Sequence, residues 1–225
     1  MLYKISKVLN PENLADVRQA LETADFVDGK LTAGQVAQDV KNNLELDKGL
    51  QHRDLLDRAV MAAVTQNQEF QHAALPTRIS TPIFAKYIAG MSYGEHVDDP
   101  VMGTLPDLYR SDVSLTLFLS EPEEYEGGEL VIRTSFGTQE VKLVAGDMVV
   151  YPSSSLHQVK PVISGTRLVM ITWMQSMIKD PAKRAILYDL WQIREDLLNT
   201  YPDADNSKKL DISYVNLVRM WAEPK

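Results

Sequence analysis

The sequence predicts an α+β chain with a mainly β core, of the sandwich or jelly-roll kind, carrying helices at both ends. Between residues 77 and 176, seven segments of strand length follow one another with Gly, Pro and Ser between them and no helical stretch. Residues 1–76 and 177–225 instead place apolar side chains at helical spacing. Nothing in the chain is repetitive or of low complexity.

In the amino-terminal region, Asn10 is an N-cap with Pro11 at the first helical position, and Leu14, Val17 and Leu21 follow on one face. Asp28-Gly29-Lys30 reads as a turn, and Thr32–Asn43 fits neither period. A second helix is expected from about Asp47 to Phe70, burying Leu55, Leu56, Ala59, Val60, Ala63 and Val64. His52 and His72 fall in or beside it and read as surface helix residues.

The expected strands are Ile83–Ala89, Val113–Leu119, Glu129–Thr134, Gln139–Val144, Met148–Tyr151, Gln158–Val162 and Arg167–Trp173. Tyr93-Gly94-Glu95 and Ser164-Gly165 read as turns, and Gly127-Gly128 as a tight turn leading into a strand. In the tail, Asp180-Pro181 starts a helix whose apolar face is Ile186, Leu190, Ile193 and Leu197. Tyr201-Pro202-Asp203 breaks it, and a last helix carries Leu210, Tyr214, Leu217, Val218 and Trp221. This tail is expected to dock on the core, with a homodimer interface as the second reading.

At 225 residues, 44% hydrophobic and 24% charged, the chain is large enough for one good core with additions. A net charge of −8 disfavours a nucleic-acid partner. With no cysteine, any metal must be held by nitrogen and oxygen. Met1-Leu2-Tyr3-Lys4-Ile5 lacks the long apolar run of a signal peptide, and no segment approaches the roughly 18 apolar residues of a membrane span. The expected location is the cytoplasm.

The chemistry concentrates in His96-Val97-Asp98, His157 and Arg167. On a strand, residues i and i+2 share a face, so His96 and Asp98 can reach one metal. Two imidazoles and a carboxylate form the facial triad that holds iron(II) with positions left open. Arg167, ten residues past the third ligand, is a cation placed for the far carboxylate of 2-oxoglutarate. The competing reading is a non-catalytic metal-binding or assembly protein. Such a protein has no need of a co-substrate cation, which weighs against it.

Tyr93-Gly94-Glu95-His96-Val97-Asp98-Asp99-Pro100, Glu126-Gly127-Gly128-Glu129-Leu130, Ala145-Gly146-Asp147, His157-Gln158-Val159-Lys160-Pro161-Val162 and Gly165-Thr166-Arg167 together resemble the prolyl 4-hydroxylase-like branch of the iron/2-oxoglutarate oxygenases. Within that branch the chain is similar to the bacterial PKHD-type hydroxylases, a group linked to iron uptake. The closer likeness extends to Asp28-Gly29-Lys30-Leu31-Thr32-Ala33-Gly34, to Val40-Lys41-Asn42-Asn43 and to the helical tail.

The resemblance implies a double-stranded β-helix with the metal between its two sheets. It implies iron(II) on His96, Asp98 and His157, with 2-oxoglutarate and O2 as co-substrates. Arg167 would bind the far carboxylate, Tyr87 would lie against 2-oxoglutarate, and L-ascorbate would be the activator. Succinate and carbon dioxide would accompany hydroxylation of a small-molecule or peptidyl substrate. Phe118 stands where some relatives carry a second tyrosine, so that hydroxyl is missing. Asp98 argues against halogenation, and Trp173 replaces the second arginine of nucleic-acid demethylases. Asp99–Asp112 reads as a substrate lid, with Met102 and Arg110 as contacts. Lys160 and Lys86 are the alternative cations should Arg167 fail.

Overall fold

The computed structural model describes residues 1–32, 38–49 and 53–223. In chain order the amino-terminal part is β1 (Tyr3–Ile5), α1 (Pro11–Glu22), β2 (Phe26–Asp28), a 3-10 turn (Gly29–Thr32), β3 (Lys41–Asn42), β4 (Leu44–Leu46), α2 (Arg53–Gln66) and α3 (Gln68–Ala74). The core follows as β5 (Pro76–Ile79), β6 (Ile83–Ile88), β7 (Ser92–His96), β8 (Val101–Met102), β9 (Tyr109–Arg110), β10 (Val113–Phe118), β11 (Tyr125–Gly127) and β12 (Leu130–Thr134). It is completed by β13 (Gly137–Val141), β14 (Met148–Pro152), β15 (His157–Val159) and β16 (Val162–Ser176), and the chain ends in α4 (Pro181–Thr200) and α5 (Asp205–Trp221).

These strands form a jelly roll. The major sheet runs β1-β14-β10-β16-β6-β4-β2, with β5 and β11 also paired to the long β16. The minor sheet runs β13-β12-β15-β7-β3, and β8 and β9 make a separate ribbon. All pairings are antiparallel among the described residues.

Period-two alternation sorts the major sheet's side chains into two cores. Val113, Leu115, Leu117, Met148, Val150, Met170 and Met174 face the helices with Val17, Leu21, Val60, Val64 and Phe70. Phe118, Val149, Tyr151 and Val169 point the other way and meet Leu130, Ile132 and Val159 of the minor sheet. Burying each such aliphatic side chain is worth about 1.5–3 kcal/mol. All of β10 is therefore buried, which explains its near-continuous apolar run.

The amino-terminal region is less helical than expected. β1 extends one edge of the major sheet, β2 and β4 extend the other, and β3 caps the minor sheet. Strands of two or three residues carry no readable period and form only because a sheet edge accepts them. The single helix expected over 47–70 is two: Asn67 interrupts it, and its side chain accepts from the Phe70 N–H at 2.8 Å to cap α3. Val60 and Val64 are buried as expected, but Leu55 and Ala59 face solvent. His52 lies outside the described residues.

Two expected turns are strand. Gly94 sits within β7, where a Cβ would come within 2.8 Å of the Val40 side chain. Glycine is there to let the amino-terminal segment approach, not to turn the chain. Gly165 lies inside β16 with φ 77°, and a Cβ would meet the Glu124 carbonyl at 2.0 Å. Arg167 is consequently mid-strand rather than at a strand start. Elsewhere β13 and β15 end earlier than expected, at Val141 and Val159.

The tail docks on the core as expected, through Tyr214, Leu217, Val218 and Trp221 packed with Leu75, Ile178 and Leu187. α4 is rotated from the expected face. It buries Arg184, Leu187 and Tyr188, while Ile186 and Ile193 are about half exposed. The Arg184 guanidinium donates to the carbonyls of Ile178 and Lys179, so a charged residue marks the inner face and an apolar count misses it. His72 is half-buried beneath this tail, stacked on Trp191 at 4.4 Å with Nδ1 3.0 Å from the Tyr214 hydroxyl. It is a docking residue, not a surface one. Among the described residues no helix is long and apolar enough to cross a membrane.

Candidate active site

A cavity of about 340 Å³ opens between the two sheets, and it collects His96, Asp98, His157, Arg167 and Tyr87 on its walls. β7 and β15 are neighbours in the minor sheet with His96 directly opposite His157, and Asp98 follows just past the end of β7. One ligand atom from each of the three lies within 4.8 Å of the others. Asp98 Oδ1 is 4.0 Å from His96 Nε2 and 3.8 Å from His157 Nε2. Among the described residues this is the only cluster with such spacing.

Both imidazoles are held in the same way. His96 Nδ1 is 2.8 Å from the Gly94 carbonyl, and His157 Nδ1 is 2.9 Å from the Ser155 carbonyl. A carbonyl can only accept, so each Nδ1 carries a proton, and each Nε2 faces Asp98. Burial, followed by the neighbouring His157, lowers the His96 pKa to about 4, so its ring is neutral near pH 7. Asp98 Oδ2 accepts from Ser114 Oγ at 2.5 Å, and Ser114 in turn lies 2.8 Å from Ser153 Oγ. Tyr93 stacks on His96 at 3.6 Å. Two imidazoles held through Nδ1 and a hydrogen-bonded carboxylate suit a divalent transition metal of the iron or zinc kind.

The opposite wall belongs to the major sheet. Arg167 of β16 pairs in register with Tyr87 of β6, and its guanidinium lies 5.0 Å from the Tyr87 ring and 5.6 Å from Phe118. Arg167 is 1% exposed, yet among the described residues Nε and Nη1 have no hydrogen-bond partner, and neither does the Tyr125 hydroxyl that lies toward the guanidinium. A buried guanidinium without a counter-charge is costly, and an anion entering the cavity would relieve it. Burial pushes the Tyr87 hydroxyl up to about 12, so it stays protonated as a donor.

Other expected residues divide. Met102 and Trp173 line the cavity with Val97, Val101, Ile83 and Ile171, giving it an apolar mouth under the β8–β9 ribbon. Arg110 is turned away, paired with Asp112 at 2.6 Å and facing Glu223 at 3.8 Å. Neither alternative cation is in the cavity. Lys160 pairs with Glu140 at 2.7 Å on an outer edge, and Lys86 lies over Phe26 beside α1. Lys41 is a second cation lining the cavity beside Arg167, and sequence reasoning missed it along with Ser114 and Tyr93, and with Ser153 behind Ser114. The signal for Ser114 was present: a serine on the inward face of an apolar strand needs a buried partner.

A family model described as the 2OG-Fe(II) oxygenase superfamily matches residues 82–175. A PKHD-type hydroxylase of Thioalkalivibrio sulfidiphilus is 48% identical over 223 residues, covering 99% of this chain and 100% of the relative. The PKHD-type hydroxylase YbiX of Escherichia coli is 44% identical over 224 residues with the same coverage. Among solved structures, a prolyl-4-hydroxylase of Pseudomonas putida has a TM-score of 0.53 at 21% identity, covering 77% of this chain and 92% of its own. HygX of Streptomyces hygroscopicus, with nickel, 2-oxoglutarate and hygromycin B bound, has a TM-score of 0.51 at 14% identity, covering 79% and 84%. These distant structures share the jelly-roll fold. The chain belongs to the PKHD-type hydroxylases of the 2OG-Fe(II) oxygenase superfamily, and is a 2-oxoglutarate-dependent dioxygenase.

Proposed function

We propose that this hydroxylase holds iron(II) on His96, Asp98 and His157 and takes the far carboxylate of 2-oxoglutarate on Arg167. The observation that carries this reading is the pair of unpartnered Arg167 nitrogens in the same cavity as the triad. Iron(II) with 2-oxoglutarate supplies the oxygen-activating chemistry that yields succinate and carbon dioxide and hydroxylates the substrate. The chain's part is to position and to exclude. Arg167 offers a carboxylate a permanent, planar charge that is itself buried at the inner wall of the cavity. Tyr87 adds a hydroxyl donor at the same wall, and the Phe118 ring lies 5.6 Å from the Arg167 guanidinium. Ser114 fixes one oxygen of Asp98 and leaves the other facing the imidazoles.

Under anaerobic conditions, adding Fe(II) and 2-oxoglutarate to the protein is expected to give a visible metal-to-ligand charge-transfer band. A colourless mixture would overturn the assignment, as would a band that survives in Asp98→Ala. The non-catalytic metal-binding alternative gives no band and leaves Arg167 without a role.

The substrate is read as a siderophore-like small molecule, ahead of a peptidyl proline or a free amino acid. Its support is the iron-uptake association of the group together with the apolar cavity mouth of Val97, Val101, Met102 and Trp173. Metabolite profiles of a deletion strain test it: accumulation of an unhydroxylated siderophore supports the reading, and an unchanged siderophore pool refutes it. L-ascorbate is carried as the activator that keeps the metal ferrous. The acidic chain and the absence of a second arginine at Trp173 speak against a nucleic-acid substrate. A homodimer would pair the exposed Ile186, Ile193 and Ile212 of the tail, and light scattering of Ile193→Glu against the parent chain tests that.

A further inference from the structure

Two amino-terminal segments marked by the sequence, Asp28–Gly34 and Val40–Asn43, have no part in the chemistry above. In their described residues the fold brings them together at one corner of the cavity. β3 belongs to the minor sheet and β4 to the major sheet, and only Asn43 separates them. The chain crosses from one sheet to the other at that residue. Lys41 and Glu45 flank the crossing and close it as a buried ion pair, Nζ to Oε1 2.6 Å, with side chains 5% and 3% exposed. Thr32 completes the cluster: its hydroxyl lies 2.7 Å from Glu45 Oε2 and 3.0 Å from Lys41 Nζ. The Gly29 N–H donates to the Asn43 carbonyl at 2.9 Å, which pins the corner from outside.

The pair touches both halves of the site. Lys41 is opposite Tyr93 in register, and its ammonium lies 5.4 Å from that ring, which stacks on His96. Glu45 is opposite Ala85 on β6, two residues from Tyr87, which is itself opposite Arg167. Among the described residues no other ion pair joins the two sheets. A buried ion pair seldom adds stability over apolar side chains of similar volume, so stability alone is a poor account of it.

We propose that the Lys41–Glu45 pair, seated on Thr32, sets the separation of the metal wall and the co-substrate wall, so that metal and 2-oxoglutarate bind each more tightly in the presence of the other. Lys41 and Glu45 are positioning residues in this view. The inference rests on the reading that His96, Asp98 and His157 hold the metal and Arg167 the co-substrate. One ligand anchored to both walls gains affinity only if the walls stand at the right distance.

The test uses the full chain and Mn(II), with metal affinity measured by competition in the absence and presence of saturating 2-oxoglutarate. The double variant Lys41→Met with Glu45→Met removes both charges and strands neither. It is expected to fold and to bind Mn(II) alone nearly as the parent does, while the tightening caused by 2-oxoglutarate falls about tenfold. Lys41→Arg, which keeps the charge, is expected to retain most of the tightening. A purely structural role would lower the melting temperature and leave the tightening factor at its parent value, and that result overturns the proposal. Should the double variant not fold, Glu45→Gln is read by the same two measurements and with the same outcomes. If the parent chain shows no tightening, or Asp98→Ala binds Mn(II) as the parent does, the functional reading itself fails and takes this inference with it.

Discussion

The two walls of the cavity differ in how finished they are. On the minor-sheet side every polar atom behind the triad has a protein partner: a carbonyl for each Nδ1 and a serine hydroxyl for Asp98. On the major-sheet side Arg167 and Tyr125 are buried with polar atoms that no group among the described residues satisfies. The first wall is organised by the chain alone. On the proposed reading the second is completed by a ligand, which makes the arginine side the more sensitive recorder of what the cavity takes.

That contrast can be broken at either wall. The largest effect is expected from Asp98→Ala, which removes one of the three proposed ligands without touching either core. 2-Oxoglutarate turnover should be abolished while circular dichroism and melting stay near the parent's; normal turnover in the variant would falsify the triad assignment. Arg167→Ala comes next. Removing one partner of a buried charge pair costs about 2–5 kcal/mol, roughly thirtyfold or more in 2-oxoglutarate affinity. Metal affinity measured without co-substrate should barely move, and titration calorimetry distinguishes the two ligands.

Ser114→Ala probes the finished wall from behind. Loss of an outer partner of a ligating carboxylate typically costs about 10–100-fold in metal affinity, and the lower end is expected because Asp98 keeps its place past the end of β7. A Ser114→Ala protein with unchanged Mn(II) affinity would mean that the wall needs no support. The smallest effect is assigned to Tyr87→Phe. One neutral hydrogen bond is worth about 1 kcal/mol, or roughly fivefold in the 2-oxoglutarate concentration needed for half-maximal turnover. An unaltered requirement would leave Tyr87 as a packed core ring.

The same divide governs what the sequence disclosed. His96 and Asp98 are two residues apart on one strand end, so local geometry alone placed them together, and His157 and Arg167 followed from the order of the motifs. The long strands were readable because each carries enough apolar residues to show its period. Ser114 gave a local signal that went unused, and Lys41 and Thr32 were marked only through the family likeness, because what brings them to the cavity is the meeting of distant strands rather than any local pattern. The α4 face was misread for a related reason: Arg184 occupies the inner side because carbonyls of the preceding loop wait for it there. Ile186 and Ile193 supplied a periodic stripe that faces outward instead.

The hold on the two imidazoles has a consequence for how such a protein can change. Each ring is fixed by a main-chain carbonyl two residues before it, Gly94 for His96 and Ser155 for His157. No side-chain substitution can delete a carbonyl. Substitutions around the mouth can therefore remodel what enters the cavity without releasing the Nδ1 of either imidazole. The orientation of both imidazoles is thereby insulated from changes in the side chains around the mouth, whereas that of Asp98 depends on Ser114.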